Sequence, residues 1–355
     1  MSGPTGVGLA ALLGGPDEPG GDPGVDPGVD PGVGPGVEDV PRRISAPVPP
    51  GDRVFRGLLR GAGIAVLAIT GLIAVFLIMR ASSALRVAGT RFFTTRTWIP
   101  SGDRFGIATI LPNGVLIALI ALVIAVPVAL ATAVFISEYA PYRLRRALIA
   151  LVDLMAAIPS IIYALWGIFF LQPRLIGTFR WMADHLSWLP FLAVRGPHLP
   201  SSFTSSTMLA GVVVSVMVVP IVASISREVF SQAPVGEREA AFALGASRWQ
   251  MVRLVVLPFG RAGVIGAIML GFGRAMGETI AVALIISPTP DLAWRVLENH
   301  GYSIPSLIAL RYQESTPQML SSLMAAGLVL FTITLGFNAL SAVVINRSRS
   351  GAQTG

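Results

Sequence analysis

Cysteine and lysine are both missing from the 355 residues, and histidine occurs only three times. Without thiols there are no disulfides, no cysteine-ligated zinc and no thiol nucleophile. His185, His198 and His300 fall in segments read as loops, too scattered to hold a metal. Without lysine there is no phosphate-cradling loop of the G-x-x-x-x-G-K-S/T kind, so energy from nucleotide hydrolysis would have to come from another chain. Charge of either sign is scarce, at 13% of residues against about 25% in soluble domains. No nucleophile-base pair stands in the apolar stretches, which counts against a membrane-embedded enzyme such as a phosphatase.

What is abundant is apolar: 53% of residues, with a mean hydropathy of +0.72. A bilayer-crossing helix needs about 20 mostly apolar residues, because a hydrocarbon layer of about 30 Å is covered at about 1.5 Å per residue. Six runs qualify, at 61–79, 110–136, 148–171, 207–225, 262–287 and 321–345. The expected fold is an all-α integral membrane protein with six spans, a permease domain over 53–346 and a short tail over 347–355. Residues 1–52 carry the tract GDPGVDPGVDPGVGPGVE, too dense in proline and glycine for a packed core, and read as a disordered acidic tail. That tail has no continuous apolar segment before the first run and does not resemble a cleaved signal peptide.

All 26 basic residues are arginine, and the net charge is +7. On a soluble chain that surplus would suggest nucleic acid; here arginine flanks the spans, sets orientation and meets anionic membrane lipid, and no nucleic acid partner is expected. Arg42, Arg43, Arg53, Arg56 and Arg60 precede the first run, and Arg143, Arg145 and Arg146 follow the second. Further arginines fill 227–261, and Arg347 and Arg349 follow the sixth run. The positive-inside rule places these regions, and both termini, in the cytoplasm. Arg80, Arg86, Arg91, Arg96 and Arg104 lie between runs one and two, on the side this topology puts outside. Pro127 and Pro159 fall within runs two and three, where each removes a backbone hydrogen bond and should kink its helix.

A long amphipathic loop, 226–261, separates runs four and five. In it Glu239, Ala240 and Ala241 are followed at fixed spacing by Gly245, then by Leu257 and Pro258. This pattern resembles the EAA signature of ABC importer permeases. Alanines 240 and 241 are small enough to enter a partner's cleft, and Gly245 can take the positive φ that ends a short helix. The resemblance implies a type I ABC importer permease with a cytoplasmic coupling helix that transmits ATPase closure to the spans. SEYAP at 137–141, AAIPSIIYALWG at 156–167 and GRAMGETIAV at 273–282 narrow the likeness to permeases of the phosphate-specific Pst importers, most of all to the PstC type.

That likeness implies phosphate as substrate, a paralogous PstA-like second permease, PstB-like ATPase subunits at the coupling loop and a PstS-like extracytoplasmic binding protein. No cofactor is expected on this chain; ATP and Mg would be used by the ATPase. It also implies a bacterial cell membrane, and a transport subunit in place of an enzyme.

Two charges stand inside run five. Arg274 lies some 12 residues in, about 18 Å deep and close to the bilayer midplane. Such a charge costs about 2.5–3.5 kcal/mol to insert, so it is expected to face an aqueous path. Glu278 follows four residues later, on the same face of a continuous helix. Guanidinium presents paired donors that match an oxyanion, and a carboxylate accepts the proton that hydrogen phosphate, unlike sulfate, still carries. Arg274 and Glu278 are therefore the expected substrate path, paired with each other at rest. Gly273 and Gly277 form a small-xxx-small pattern and are expected to pack against a neighbouring span or the partner permease. Asp153 and Glu138 lie near span ends and are left outside the path. Sulfate, molybdate and phosphonate remain alternative cargoes, and a proton-coupled secondary anion transporter is the alternative class.

Overall fold

The computed structural model describes residues 50–286, 294–299 and 301–350. The Gly- and Pro-rich tract and His300 lie outside them. The chain divides into two units at Gly61. The described part of the first, from Pro50, is helical and carries an Asp52–Arg56 ion pair of 2.9 Å one turn apart, so the first helix starts within the expected tail. The second unit, Ala62–Gly355, holds the rest of that helix and every other element.

Among the described residues, six helical runs are long and apolar enough to cross a membrane: Gly51–Phe93, Ile110–Tyr139, Ser160–His185, Thr207–Ser231, Arg248–Met276 and Pro317–Val343. They are built on α1 (Pro50–Ala88), α2 (Ile110–Val134), α4 and α5 (Ser160–Trp166 and Gln172–His185), α6 (Thr207–Ser231), α8 and α9 (Arg248–Met251 and Leu257–Met276) and α12 (Pro317–Ser350). Three stretches of π-helix, Phe135–Tyr139, Gly167–Leu171 and Val252–Val256, extend or join these pieces. α12 runs on to Ser350, so part of the expected C-terminal tail is helical. A two-stranded hairpin, β1 (Trp98–Ile99) with β2 (Arg104–Phe105), interrupts the otherwise helical fold between spans one and two.

The centre is α2 packed on α6 and α9. Ala118, Ala121, Ala125 and Ala129 recur at helical spacing along α2, and all are buried. Small side chains let backbones approach where lipid supplies no hydrophobic drive. On α6 a Cβ added to Gly211 would meet Ile120 at 2.5 Å. Along α9, Gly263 would meet Val229 at 2.4 Å and Gly271 would meet Val218 and Val222 at 2.9 Å. α6 begins on a cap in which Ser206 Oγ accepts from the Leu209 amide at 3.2 Å. The apolar stretch of α1 is left unburied, while its last turns are pinned to α12. There Ser321 Oγ lies 2.6 Å from Ser83 Oγ and donates to the Arg80 carbonyl at 2.7 Å.

Two runs depart from the sequence reading. Run three was expected to kink at Pro159; instead the helix stops. Ile158 and Pro159 are extended (ψ 129 and 140), in line with the proline ring disfavouring the helical region for the residue before it. The result is a separate α3 (Tyr142–Ala157), without a buried residue and carrying an exposed Asp153, followed by a span that starts at Ser160 and continues past 171 to His185. Run five also breaks. The span begins at Arg248 in place of 262 and ends at Met276, and a short α10 (Ile280–Ile285) follows after a non-helical Gly277–Thr279. Pro127 lies within α2 without ending it.

Candidate functional site

The break after α9 sets the geometry around Arg274 and Glu278. One side of α9, marked by Ala267 and Gly271, is buried against α6. Arg274, in the last turn, is exposed and opens into a groove of about 590 Å³. Ile221 of α6, Leu270 and Gly273 of α9, and Thr334 and Asn338 of α12 complete its walls with Gly277 and Glu278. The helix closes with the Gly277 amide on the Gly273 carbonyl at 3.1 Å and the Glu278 amide on the Ala275 carbonyl at 3.3 Å. Beyond that point Glu278 is only 7% exposed, and its Oε1 accepts from the Ala281 amide at 3.2 Å. The carboxylate thus caps the first turn of α10.

This corrects the expected arrangement in three respects. Glu278 does not follow Arg274 on one continuous helical face, because the helix ends between them. No Arg274–Glu278 ion pair occurs among the described residues; the carboxylate turns to the α10 amide instead. Arg274 stands in the last turn of its span and not at the middle of one, since the count of 12 residues assumed a helix from 262 to 287. Both residues nevertheless line the same groove. Non-helical backbone at membrane depth is tolerated only where protein buries it or a cavity receives it, and discontinuous helices mark substrate sites in transporters. An open guanidinium beside a buried carboxylate, with threonine and asparagine opposite, can exchange hydrogen bonds with a small anion.

Gly273 and Gly277 do not hold a neighbouring span. A Cβ at Gly273 would meet nothing within 4 Å, and one at Gly277 would approach only the carbonyls of Gly273 and Arg274, at 3.3 and 3.8 Å. Close packing on α9 falls to Gly260, Gly263 and Gly271. The GRAGVIGAIMLG stretch contains such small residues at helical spacing, a signal as legible as the pattern at 273 and 277.

The second candidate element is α7 (Val235–Ala243), which lies between α6 and α8 in the chain and has no buried residue. Its end has the expected form: Gly245 takes φ +81, its amide donates to the Phe242 carbonyl at 2.9 Å, and the Ala246 amide donates to the Ala241 carbonyl at 3.0 Å. Those two bonds make the Schellman turn that a left-handed glycine permits. Ser247 and Gln250 then cap α8 reciprocally. Glu239 and Ala240 are exposed and Ala241 is half-buried, beside exposed Val235, Phe242, Leu244 and Trp249.

One charge pair was not foreseen. The Glu138 side chain, 4% exposed at the end of span two, meets Arg238 of α7, with both Nη1–Oε2 and Nη2–Oε1 at 3.2 Å. Only the first of these contacts has hydrogen-bond geometry, and Glu138 Oε1 and Arg238 Nε stay without a hydrogen bond. Arg238 Nη2 also donates to the Phe230 carbonyl on α6 at 2.6 Å. The base of α7 is thereby tied to spans two and four at once. The only sequence signal was an acidic residue closing an apolar run.

A six-span helical bundle with a broken-helix polar groove and an exposed capped elbow is a membrane transport permease. Residues 125–350 match the binding-protein-dependent transport system inner membrane component family, and the chain belongs to that family. It is 42% identical over 310 residues to the phosphate transport system permease protein PstC 2 of Mycobacterium tuberculosis, covering 86% of this chain and 95% of the relative. The Mycobacterium leprae phosphate transport system permease protein PstC is 43% identical over 276 residues, covering 76% and 86%. The Xylella fastidiosa protein of that name is 37% identical over 299 residues, covering 83% and 91%. Among solved structures, a bacterial alginate ABC transporter in complex with an alginate pentasaccharide-bound periplasmic protein superposes with a TM-score of 0.52 at 16% identity, covering 81% of this chain and 94% of that one. That likeness is one of fold.

Proposed function

We propose that this chain is the permease subunit of an ATP-driven importer of inorganic phosphate, forming half of its path. The observation that carries the substrate is the chain-long identity to proteins named as phosphate permeases. The groove supports it, since a guanidinium fork suits a tetrahedral oxyanion and a carboxylate accepts from a protonated one. In this reading Arg274 is a weak waypoint and Glu278 keeps capture from becoming too tight. The exposed face of α7 docks an ATPase subunit that uses ATP and Mg, and the Arg238–Glu138 pair carries its movement into the spans. A PstA-like second permease covers the open side of the groove, with Gly273 allowing close approach, and a PstS-like protein delivers the ion. The arginine bias puts α7 and both termini in the cytoplasm of a bacterial cell.

The test is uptake of labelled phosphate by the complex reconstituted with its partners. Arg274→Gln and Glu278→Gln are each expected to lower uptake at least tenfold while the complex still assembles, and sulfate is expected not to compete. Normal uptake by either variant refutes the path; effective competition by sulfate refutes the substrate.

A further inference from the structure

The five arginines between spans one and two run against the charge bias of the loops around α7, and Asp103 is the one acid among residues 80–104. Successive spans alternate in direction, so this segment leaves the bundle at the end opposite α7. Arg80 closes the apolar stretch of α1, at the depth where hydrocarbon gives way to headgroups.

Beyond Arg80 lies a pocket of about 310 Å³ walled by Ser83, Ala84 and Val87 of α1, Phe105 of β2, and Pro317 and Gln318 of α12. Bonds remote in sequence hold it together: Ser83 Oγ lies 2.6 Å from Ser321 Oγ, and Gln318 Nε2 donates to Asp103 Oδ1. On the adjoining side of α1, Ala81 and Ala84 are buried, and a Cβ added to Gly327 of α12 would come within 4.0 Å of Leu77. Beside that contact Ile73, Phe76, Arg80, Ser83 and Val87 recur every three or four residues as one exposed stripe. Arg80 leans back along the stripe, its guanidinium 5.6 Å from the centre of the Phe76 ring. Arg86 and Arg104 are exposed next to Val87 and Phe105 in the chain. No carboxylate of the described residues stands within ion-pair distance of Arg80, Arg86 or Arg104.

We infer that the stripe and the pocket form a site for one anionic phospholipid. Its phosphate meets Arg80, its headgroup enters the pocket, and an acyl chain runs along Phe76 and Ile73. The order along α1 is that of a lipid: apolar side chains within the hydrocarbon, a guanidinium at its edge, and a pocket with serine and glutamine beyond. A free phosphate ion would use the arginine and leave the apolar stripe idle. Each arginine near the membrane surface favours an anionic headgroup over a zwitterionic one by about fivefold. Bound there, the lipid fills the gap between the end of α1 and the start of α12, and it neutralises an arginine that stands against the orientation rule.

The absence of cysteine allows a direct test on the complex assembled with cysteine-free partners in nanodiscs. Ile73→Cys and Val75→Cys each carry a bimane label; Val75 is exposed at nearly the same depth on another side of α1. Phosphatidylglycerol and phosphatidylcholine with brominated chains are compared as quenchers at equal mole fraction. At Ile73 phosphatidylglycerol is expected to associate at least about fivefold more strongly, and at Val75 the two lipids should quench alike. Arg80→Gln should abolish the preference at Ile73 and leave Val75 unchanged; the Arg80 carbonyl that holds Ser321 is backbone and survives the change. Equal quenching by the two lipids at Ile73 overturns the proposal. So does a lack of quenching by either at Ile73 while Val75 is quenched, which would mean that protein covers the stripe. Loss of the preference on adding millimolar inorganic phosphate at constant ionic strength also overturns it, by assigning Arg80 to a free ion. None of these readings depends on which ion is transported.

Discussion

Glu278 caps α10, and substitution can separate that from the transport role proposed for it. Its Oε1 accepts from the Ala281 amide, a bond that a neutral amide oxygen can also accept. Glu278→Gln should therefore keep the melting temperature of the purified chain and lose only transport. Glu278→Ala removes the cap, at a cost of about 1 kcal/mol, and should melt a few degrees lower as well. Equal melting temperatures for the two variants would mean that the cap contributes nothing. The glycines of α9 divide in the same way. Gly271→Ala places a methyl 2.9 Å from Val218 and Val222 and should cost about 1–3 kcal/mol by overpacking, whereas Gly273→Ala enters open space and should leave the stability of the chain unchanged. Thermal unfolding of both in detergent decides it. Arg274 and Glu278 were legible because a charge in an apolar run stands out. Their mutual geometry was not, because four-residue arithmetic assumes an unbroken helix and no proline announces the break at Gly277–Thr279.

Among the elements, α7 and its anchorage matter most. Its helix, its glycine turn and the cap of α8 follow from local sequence, since each is a contact within a few residues, and all were readable or nearly so. The Arg238–Glu138 pair joins residues 100 apart and required the fold. With Glu138 buried and Arg238 partly exposed, removing only the arginine strands a carboxylate away from water. Arg238→Gln should destabilise by up to about 3 kcal/mol, and the pair Glu138→Gln with Arg238→Gln should recover much of that loss because neither charge is left behind. Transport should not recover with it. If the pair transmits motion, both variants will hydrolyse ATP with little phosphate uptake, measured as the ratio of the two rates in liposomes. A double variant that regains coupling would reduce the pair to a structural tie. Pro159 illustrates the opposite limit: proline was correctly read as a disturbance, yet whether it kinks or ends a helix depends on whether the chain on either side has somewhere else to pack.

At the scale of the whole molecule, composition settled the six spans, since nothing but a bilayer accommodates so many long apolar helices. The lateral surface of the bundle was beyond its reach. α1 turns apolar side chains such as Leu67 and Leu72 outward, exposed by 73% and 68%, as a lipid-facing helix would. The groove between α9 and α12 instead opens beside a guanidinium with no ion-pair partner among the described residues, and setting that charge against hydrocarbon is unfavourable. Protein, not lipid, must therefore cover that side, and a second permease chain is the partner proposed above. The chain's freedom from cysteine allows single labels to separate the two faces. Asn338→Cys on the groove and Leu72→Cys on α1, each carrying a benzophenone, should behave oppositely in the assembled complex: the first cross-links to the second permease on illumination, the second to lipid alone. Cross-linking from the α1 position with none from the groove would invert this arrangement and leave Arg274 without the covering that its charge demands.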